Sequence, residues 1–332
     1  GLPEGLLAEI QSGDAVLLKT LIARVRDEEP DPNGPKHKQL QRQLLQAMQD
    51  NTIPAPGRAA IGAALAEVGD PRFRPDAFYL PNDPLLGFIH IPAGRFTMGS
   101  DKKKDPQAYD DEQPQHEVEL GEYYIARYPV TVAQFKAFVE SRKYKPQDSD
   151  SLRGLPNHPV VNVTWYDALA YCDWLTAQLP NLPNLPPELK RGWRVALPSE
   201  AEWERAARGT DGRIYPWGDE FDPNKANTEK SGIGGTSAVG CFPLGASPAG
   251  LLDASGNVWE WTRGLWAGYP YPVPGSQRKA RERFTSDNKD MMVRRGGSWS
   301  YFERNARCAF RFWINPDNRN YDVGFRVSLS PL

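Results

Sequence analysis

Apolar positions near the N-terminus recur at helical spacing: Leu6, Leu7 and Ile10, then Val16, Leu17, Leu21, Ile22 and Val25. That period gives a helix one face to bury, so short helices are expected here. The Pro- and Gly-containing run EEPDPNGPKHK from Glu28 interrupts the pattern as a loop, and Leu40, Leu44, Leu45 and Met48 then make another apolar stripe. A last helical segment is expected near Ala59 to Val68. No constellation of reactive side chains accompanies these stripes, so residues 1–85 read as a helical region and linker that pack on a larger unit.

From about Gly87 the texture changes to short runs of aromatic and β-branched residues broken by many glycines and prolines. Three helices stand out in it. The first opens at Thr131 as N-cap and offers Val132, Phe135, Phe138 and Val139 for burial; the second runs from about Trp165 to Leu179. The third opens with Ser199 and Glu202, spaced as a capping box, and ends at Gly209. Short strands, few helices and long connections predict an α+β domain over residues 86–332, and no internal repeat is visible.

Composition narrows the function classes. Forty basic residues against 42 acidic ones leave a net charge of −2, so no overall field favours nucleic acid or a membrane surface. No run approaches the roughly 20 apolar residues of a spanning helix, and GLPEGLLAEI lacks the basic and apolar regions of a signal peptide. The compartment is not legible from this chain. Cys172, Cys241 and Cys308 show no CxxC spacing and read as small buried side chains rather than a disulfide framework or a zinc site. His90, His116 and His158 carry no HxxxH or HExxH spacing.

Eight segments follow one another in a fixed order: IPAGRFTMGS from Ile91, YYIARYPVTVAQF from Tyr123, NHPVVNVTWYDALAYCDWL from Asn157, RVALPSEAEWERAARG from Arg194, YPWGDE from Tyr215, GNVWEW from Gly256, RRGGSW from Arg294 and VGFRV from Val323. Together they resemble the sulfatase-modifying-factor, or formylglycine-generating-enzyme, family over roughly 240 residues. The resemblance implies an elaborated C-type-lectin-like fold with much irregular backbone. It also implies a catalytic test, because the enzymes of that family use a pair of copper-binding cysteines between the GGS and GFR motifs. Here that interval holds Cys308 alone, in RCAFRFWINPD, where it matches a structural cysteine of the family whose partner position is Val327. A soft metal held by two thiolates cannot be held so by one. The related iron-dependent sulfoxide synthases carry a His triad on an N-terminal helical domain, where this chain has only His37 before Gly87. No catalytic residue and no catalytic cofactor is therefore expected.

The resemblance further implies a structural calcium where the chain turns before GNVWEW. Asp253 and Glu260 would supply carboxylate oxygens and Gly256 and Val258 backbone carbonyls, with Asn227 and Thr228 as a second site. The alternative is that Asp253 and Glu260 satisfy loop amides.

The stretch RRGGSWSYFERNARCAFRFWINPDNRNYDVGFRV, about residues 294–327, alternates a frame (RGGSW, RNAR, NPDNRN, VGFRV) with bulky residues that follow no helix or strand period. It is similar to the variable region of a diversity-generating retroelement target protein, in which adenine-directed mutagenesis of Asn-rich codons randomises chosen positions. The interrupting residues are the candidate ligand contacts: Ser300, Tyr301, Phe302, Glu303, Phe310, Phe312, Trp313, Ile314, Tyr321 and Asp322. Aromatics set among Gly, Asn, Asp and Arg suit rigid loop anchors, which offer large contact area with few rotors to freeze. Arg304, Arg307, Arg311, Arg319 and Arg326 are expected to form hydrogen bonds or salt bridges of the frame. The expectation is thus a non-enzymatic, monomeric binding protein whose unknown partner is a macromolecule, in the first instance a protein. A carbohydrate-binding lectin is the weaker alternative, since the patch offers no Glu/Asn pair to present a calcium-held sugar.

Overall fold

The computed structural model describes residues 4–190 and 192–331. Four helices open it: α1 (Glu4–Ser12), α2 (Ala15–Glu28), α3 (Pro35–Met48) and α4 (Ala55–Val68). Asp14 caps α2 by accepting from the N–H groups of Val16 and Leu17, each at 2.9 Å. That start fixes the helix phase, and Leu18, Leu21, Ile22 and Val25 turn inward at i, i+3, i+4 and i+7. Val16, at 71% exposure, and Leu17 consequently face solvent, so the stripe expected from sequence is out of phase at its first turn. Helix α4 starts earlier than its apolar spacing suggested, because Pro54 sits in extended backbone as the cap and Pro56 fits the first turn.

These helices share one apolar core, to which Ala238, Cys241 and Phe242 contribute from the second half of the chain. Arg58, only 1% exposed, crosses the same junction. Its guanidinium donates to the carbonyls of Ile53 at 2.7 Å, Cys241 at 3.1 Å and Asn224 at 3.1 Å, and lies over the Phe242 ring. The helical region is therefore docked through both apolar packing and satisfied buried polar groups.

The remainder is mixed. After the short pair β1 (Phe73–Arg74) and β2 (Leu80–Pro81) come β3 (Phe88–Ile91), β4 (Gly94–Met98), β5 (His116–Leu120), β6 (Tyr123–Ala126), β7 (Trp193–Ala196), β8 (Trp259–Leu265), β9 (Met292–Arg295), β10 (Phe312–Ile314), β11 (Val323–Phe325) and β12 (Ser328–Pro331). One four-stranded sheet runs β3-β6-β12-β7 and the other β10-β9-β8-β11, while β4 pairs with β5 as a hairpin. Among these strands of the described residues, the β11–β8 pairing alone is parallel. Arg326 and Val327, between β11 and β12, carry the chain from one sheet to the other.

Helices α5 (Val132–Arg142), α6 (Trp165–Gln178) and α7 (Glu200–Arg208) each open with a reciprocal capping box: Thr131 with Gln134, Thr164 with Asp167, and Ser199 with Glu202. A short α8 (Ser276–Ala280) lies in the connection between β8 and β9. This is the α+β arrangement with long irregular connections that the segment texture predicts. Among the described residues, no helix is long and apolar enough to cross a membrane.

Candidate ligand-binding face

The sheet β10-β9-β8-β11 builds the face from below. Trp259, 1% exposed on β8, is its hub: its ring meets those of Tyr301, Phe312 and Phe310 at centroid distances of 5.2, 5.4 and 5.7 Å. Offset and edge contacts of this kind fix ring orientation as well as burying area.

The backbone leaving β9 turns through Gly296 and Gly297 at φ 98° and 70°, and a Cβ on Gly297 would stand 3.0 Å from the Asn305 carbonyl oxygen. The glycine pair of RRGGSW thus allows the 298–306 loop to fold back against its own origin.

Buried arginines then pin the loops to the scaffold. Arg307 donates to Glu112 at 2.7 and 2.8 Å and to Asp105 at 2.7 Å, and Arg311 grips Glu200 on α7 through Nε and Nη2. Arg295 pairs with Glu204 one turn further along α7, and Arg326 holds Glu260 at 2.7 and 2.8 Å. Burial alone would raise the Glu200 carboxyl, yet the charges of Arg311 and Arg295 outweigh it and hold it below the usual carboxylate value. Arg307, Arg311 and Arg326 therefore form the salt bridges expected of the frame. Arg304 lies over the Tyr109 ring at 4.2 Å, and Arg319 stands 3.6 Å from Asp148.

On this frame Phe302, Trp313 and Tyr321 are exposed, at 57, 44 and 54%. Ser300, Tyr301, Glu303, Phe312 and Ile314 are half-buried between them. Glu303 pairs with Lys230 at 2.6 Å, and Ser300 donates to Asp322 at 3.0 Å. Two candidates are corrected. Phe310, 7% exposed, belongs to the core because it lies against Trp259 and under the edge of Tyr109. Asp322, 2% exposed, turns inward, where its carboxylate accepts from Ser298 and Ser300 and its carbonyl from the Trp259 N–H. The remaining eight are exposed or half-buried; on β10, Phe312 and Ile314 turn to the core that contains Trp259, and Trp313 between them turns to Trp266.

Sequence reasoning missed residues beyond the ten candidates, from inside and outside the stretch 294–327. Trp266, just past β8, packs on Trp313 at 5.4 Å, and the half-exposed Trp299 packs on Tyr321 at 5.5 Å. Tyr109 and Met291, both exposed, widen the apolar surface. Trp266 carries a legible signal, a tryptophan following a buried strand at the entrance of a Gly- and Pro-rich loop, but its partner Trp313 lies 47 residues on in sequence.

The residues carried over for calcium do not fit a cation as arranged. Both Glu260 oxygens are taken by Arg326, and one also accepts from the Trp203 indole at 2.7 Å. Asp253 accepts the Gly240 N–H at 2.7 Å, the Gly256 carbonyl accepts from Val258, and the Asn227 side-chain oxygen accepts from Ser231. Thr228 sits 1% exposed at the start of the same loop, and its hydroxyl makes no hydrogen bond. Satisfied loop amides are the arrangement observed for Asp253, whereas Glu260 answers an arginine. Among the described residues, no group of three or more His, Cys, Asp or Glu is placed to hold a metal ion.

The thiols are likewise apart. Cys172, Cys241 and Cys308 are free and buried, each in a different apolar core. Burial pushes the Cys241 and Cys308 thiols up to about 12 and that of Cys172 higher still. A thiol so placed is not a thiolate at neutral pH.

The model of the sulfatase-modifying factor enzyme 1-like domain family matches residues 76–330. The inactive C-alpha-formylglycine-generating enzyme 2 of Bos taurus is 32% identical over 310 residues, spanning 75% of this chain and 90% of that protein. The formylglycine-generating enzyme of Bos taurus is 29% identical over 313 residues, spanning 75% and 76%. Among solved structures, PvdO from Pseudomonas aeruginosa superposes with a TM-score of 0.59 at 26% identity, covering 73% of this chain and 94% of that one. Treponema denticola variable protein 1 gives 0.56 at 23% identity over 74% and 95%, a likeness of fold.

Proposed function

The chain belongs to the sulfatase-modifying factor enzyme 1-like family, and from that premise we propose that it is a non-enzymatic display protein, diversified by a retroelement, that binds a macromolecular ligand through its C-terminal aromatic face. The family's named members include both an enzyme and a protein named inactive, so membership alone assigns no chemistry. One observation carries the proposal: Phe302 and Tyr321 on loops and Trp313 on β10 stand exposed, on a backbone held in place by buried arginines and glycines. Rigid aromatic anchors on a satisfied frame are the arrangement of a recognition surface. The separation of the three thiols into three cores supports the absence of cysteine-oxidising chemistry. The Treponema denticola neighbour is a variable protein, which agrees with diversification.

A protein partner is favoured because a surface of this kind buries on the order of 800 Å² per side, a standard protein interface. The test compares capture of partners by the intact chain and by a Phe302→Ala/Trp313→Ala/Tyr321→Ala variant of equal melting temperature. Partners are expected on the first and absent from the second; equal retention by both would contradict the proposal.

A further inference from the structure

Among the buried arginines around the face, Arg294 is the exception. Arg263, Arg295, Arg307, Arg311 and Arg326 each meet a carboxylate within salt-bridge distance. Arg294 on β9, 4% exposed, meets none among the described residues. Its guanidinium lies instead over the rings of Phe312, Trp261 and Trp259, at 5.0, 5.2 and 5.9 Å. Its one hydrogen bond is a long one, from Nη1 to Asn318 Oδ1 at 3.3 Å, and Nε is buried without a partner. Asp322, the acidic group that acts on it, gives its carboxylate to Ser298 and Ser300. Burial pulls the Arg294 guanidinium down to about 10. A buried cation without a counter-charge costs stability, and such costs persist where a site uses them.

The free edge matters as much as the missing charge. Arg311 and Arg326 present Nε and Nη2 side by side to the two oxygens of Glu200 and Glu260. On Arg294 Nε is buried without a partner and Nη2 makes no hydrogen bond among the described residues, while Nη1 is turned to Asn318. Arg294 lies beneath Phe312, its cross-strand neighbour and one of the candidate contacts, and beside the half-buried Asn318.

We infer that Arg294 is a fixed anchor for a carboxylate of the ligand, which displaces the half-buried side chains of Phe312 and Asn318 and pairs with Nε and Nη2. The inference rests on the ligand-display proposal and adds the chemistry of what is displayed to. A planar carboxylate matches a guanidinium edge bidentately. Whatever residues occupy the exposed positions, the anchor beneath them belongs to the frame motif RRGGSW.

Benzoate, with its neutral isostere benzamide, is the probe, followed by tryptophan fluorescence and by thermal shift on the whole chain. Saturable benzoate binding is expected, with benzamide weaker by about tenfold or more. Asn318→Asp places a carboxylate of the chain against Nη1 and so supplies the missing counter-charge from within, and it should raise the melting temperature and abolish the benzoate response. Arg294→Gln should lose benzoate selectivity, and the Asn318→Asp result stands even if Arg294→Gln fails to fold. Two capped peptides separate the sources of the carboxylate, one offering an aspartate side chain next to an aromatic residue and the other an aromatic residue at its free C-terminus. Displacement of benzoate by either assigns the source. Absence of saturable benzoate binding, equal binding of benzamide, displacement by neither peptide, or an Asn318→Asp variant that binds benzoate like the parent would each overturn the inference. Those results leave the ligand-display proposal itself to the aromatic-triple variant, whose outcome does not depend on Arg294.

Discussion

His158 shows how a single buried side chain sets a condition on the whole fold. Its Nδ1 meets the Thr236 hydroxyl at 2.9 Å while Nε2 is buried without a partner. Burial lowers its pKa from 6.5 to about 4, so the folded chain keeps it neutral where the unfolded chain takes up a proton. Its contribution is intact above pH 6.5 and is lost as pH falls towards about 4. The whole difference is about 3 kcal/mol at the bottom of that window. Denaturant titrations of the parent and of His158→Gln from pH 7.5 to 4.5 should show the parent losing stability more steeply on acidification. Parallel curves would contradict the assignment. Residue-scale legibility was good where chemistry was local and poor where it was not. The frame arginines are readable as hydrogen-bonding or salt-bridging from their setting, whereas Phe310 and Asp322 read only as candidate contacts. Their inward turn depends on Trp259, which lies more than 50 residues away in sequence.

Helix α7 is the element on which the frame leans. Ser199 accepts from the Glu202 N–H at 3.0 Å while Glu202 accepts from the Ser199 N–H at 2.9 Å, so two donors of its first turn are satisfied reciprocally. The same helix then presents Glu200, Glu202 and Glu204 to Arg311, Arg263 and Arg295. Ser199→Ala is expected to cost about 1 kcal/mol or somewhat more, since loss of the cap loosens the turn that carries Glu200 and Glu202. Chemical denaturation measures it, and an unchanged midpoint would show that the carboxylates hold the turn unaided. The capping box was readable because it needs only residues three apart. The phase of α2 was misread for a related reason: its apolar spacing allowed two registers, and the Asp14 cap chose the one that buries Leu18 and exposes Val16 and Leu17.

At the scale of the molecule three parts answer to three kinds of interaction. The N-terminal helices are tied on by apolar packing and by Arg58. The two sheets are joined through Arg326, whose guanidinium reaches Glu260 and the carbonyls of Ala126, Arg127 and Leu252. The aromatic face stands on the β10-β9-β8-β11 sheet, widened by Trp266, Met291 and Tyr109 from segments outside residues 294–327. Segment order made the fold legible, because eight motifs in sequence specify one scaffold. The outer wall of the face was not legible, because it is assembled from three distant loops. Sequencing the gene from many clonal isolates tests the central claim most directly. Substitutions should concentrate at Ser300, Tyr301, Phe302, Glu303, Phe312, Trp313, Ile314 and Tyr321, leaving Gly296, Gly297, Arg294, Arg307, Arg311 and Arg326 unchanged. An invariant face, or changes spread evenly over frame and face, would contradict it.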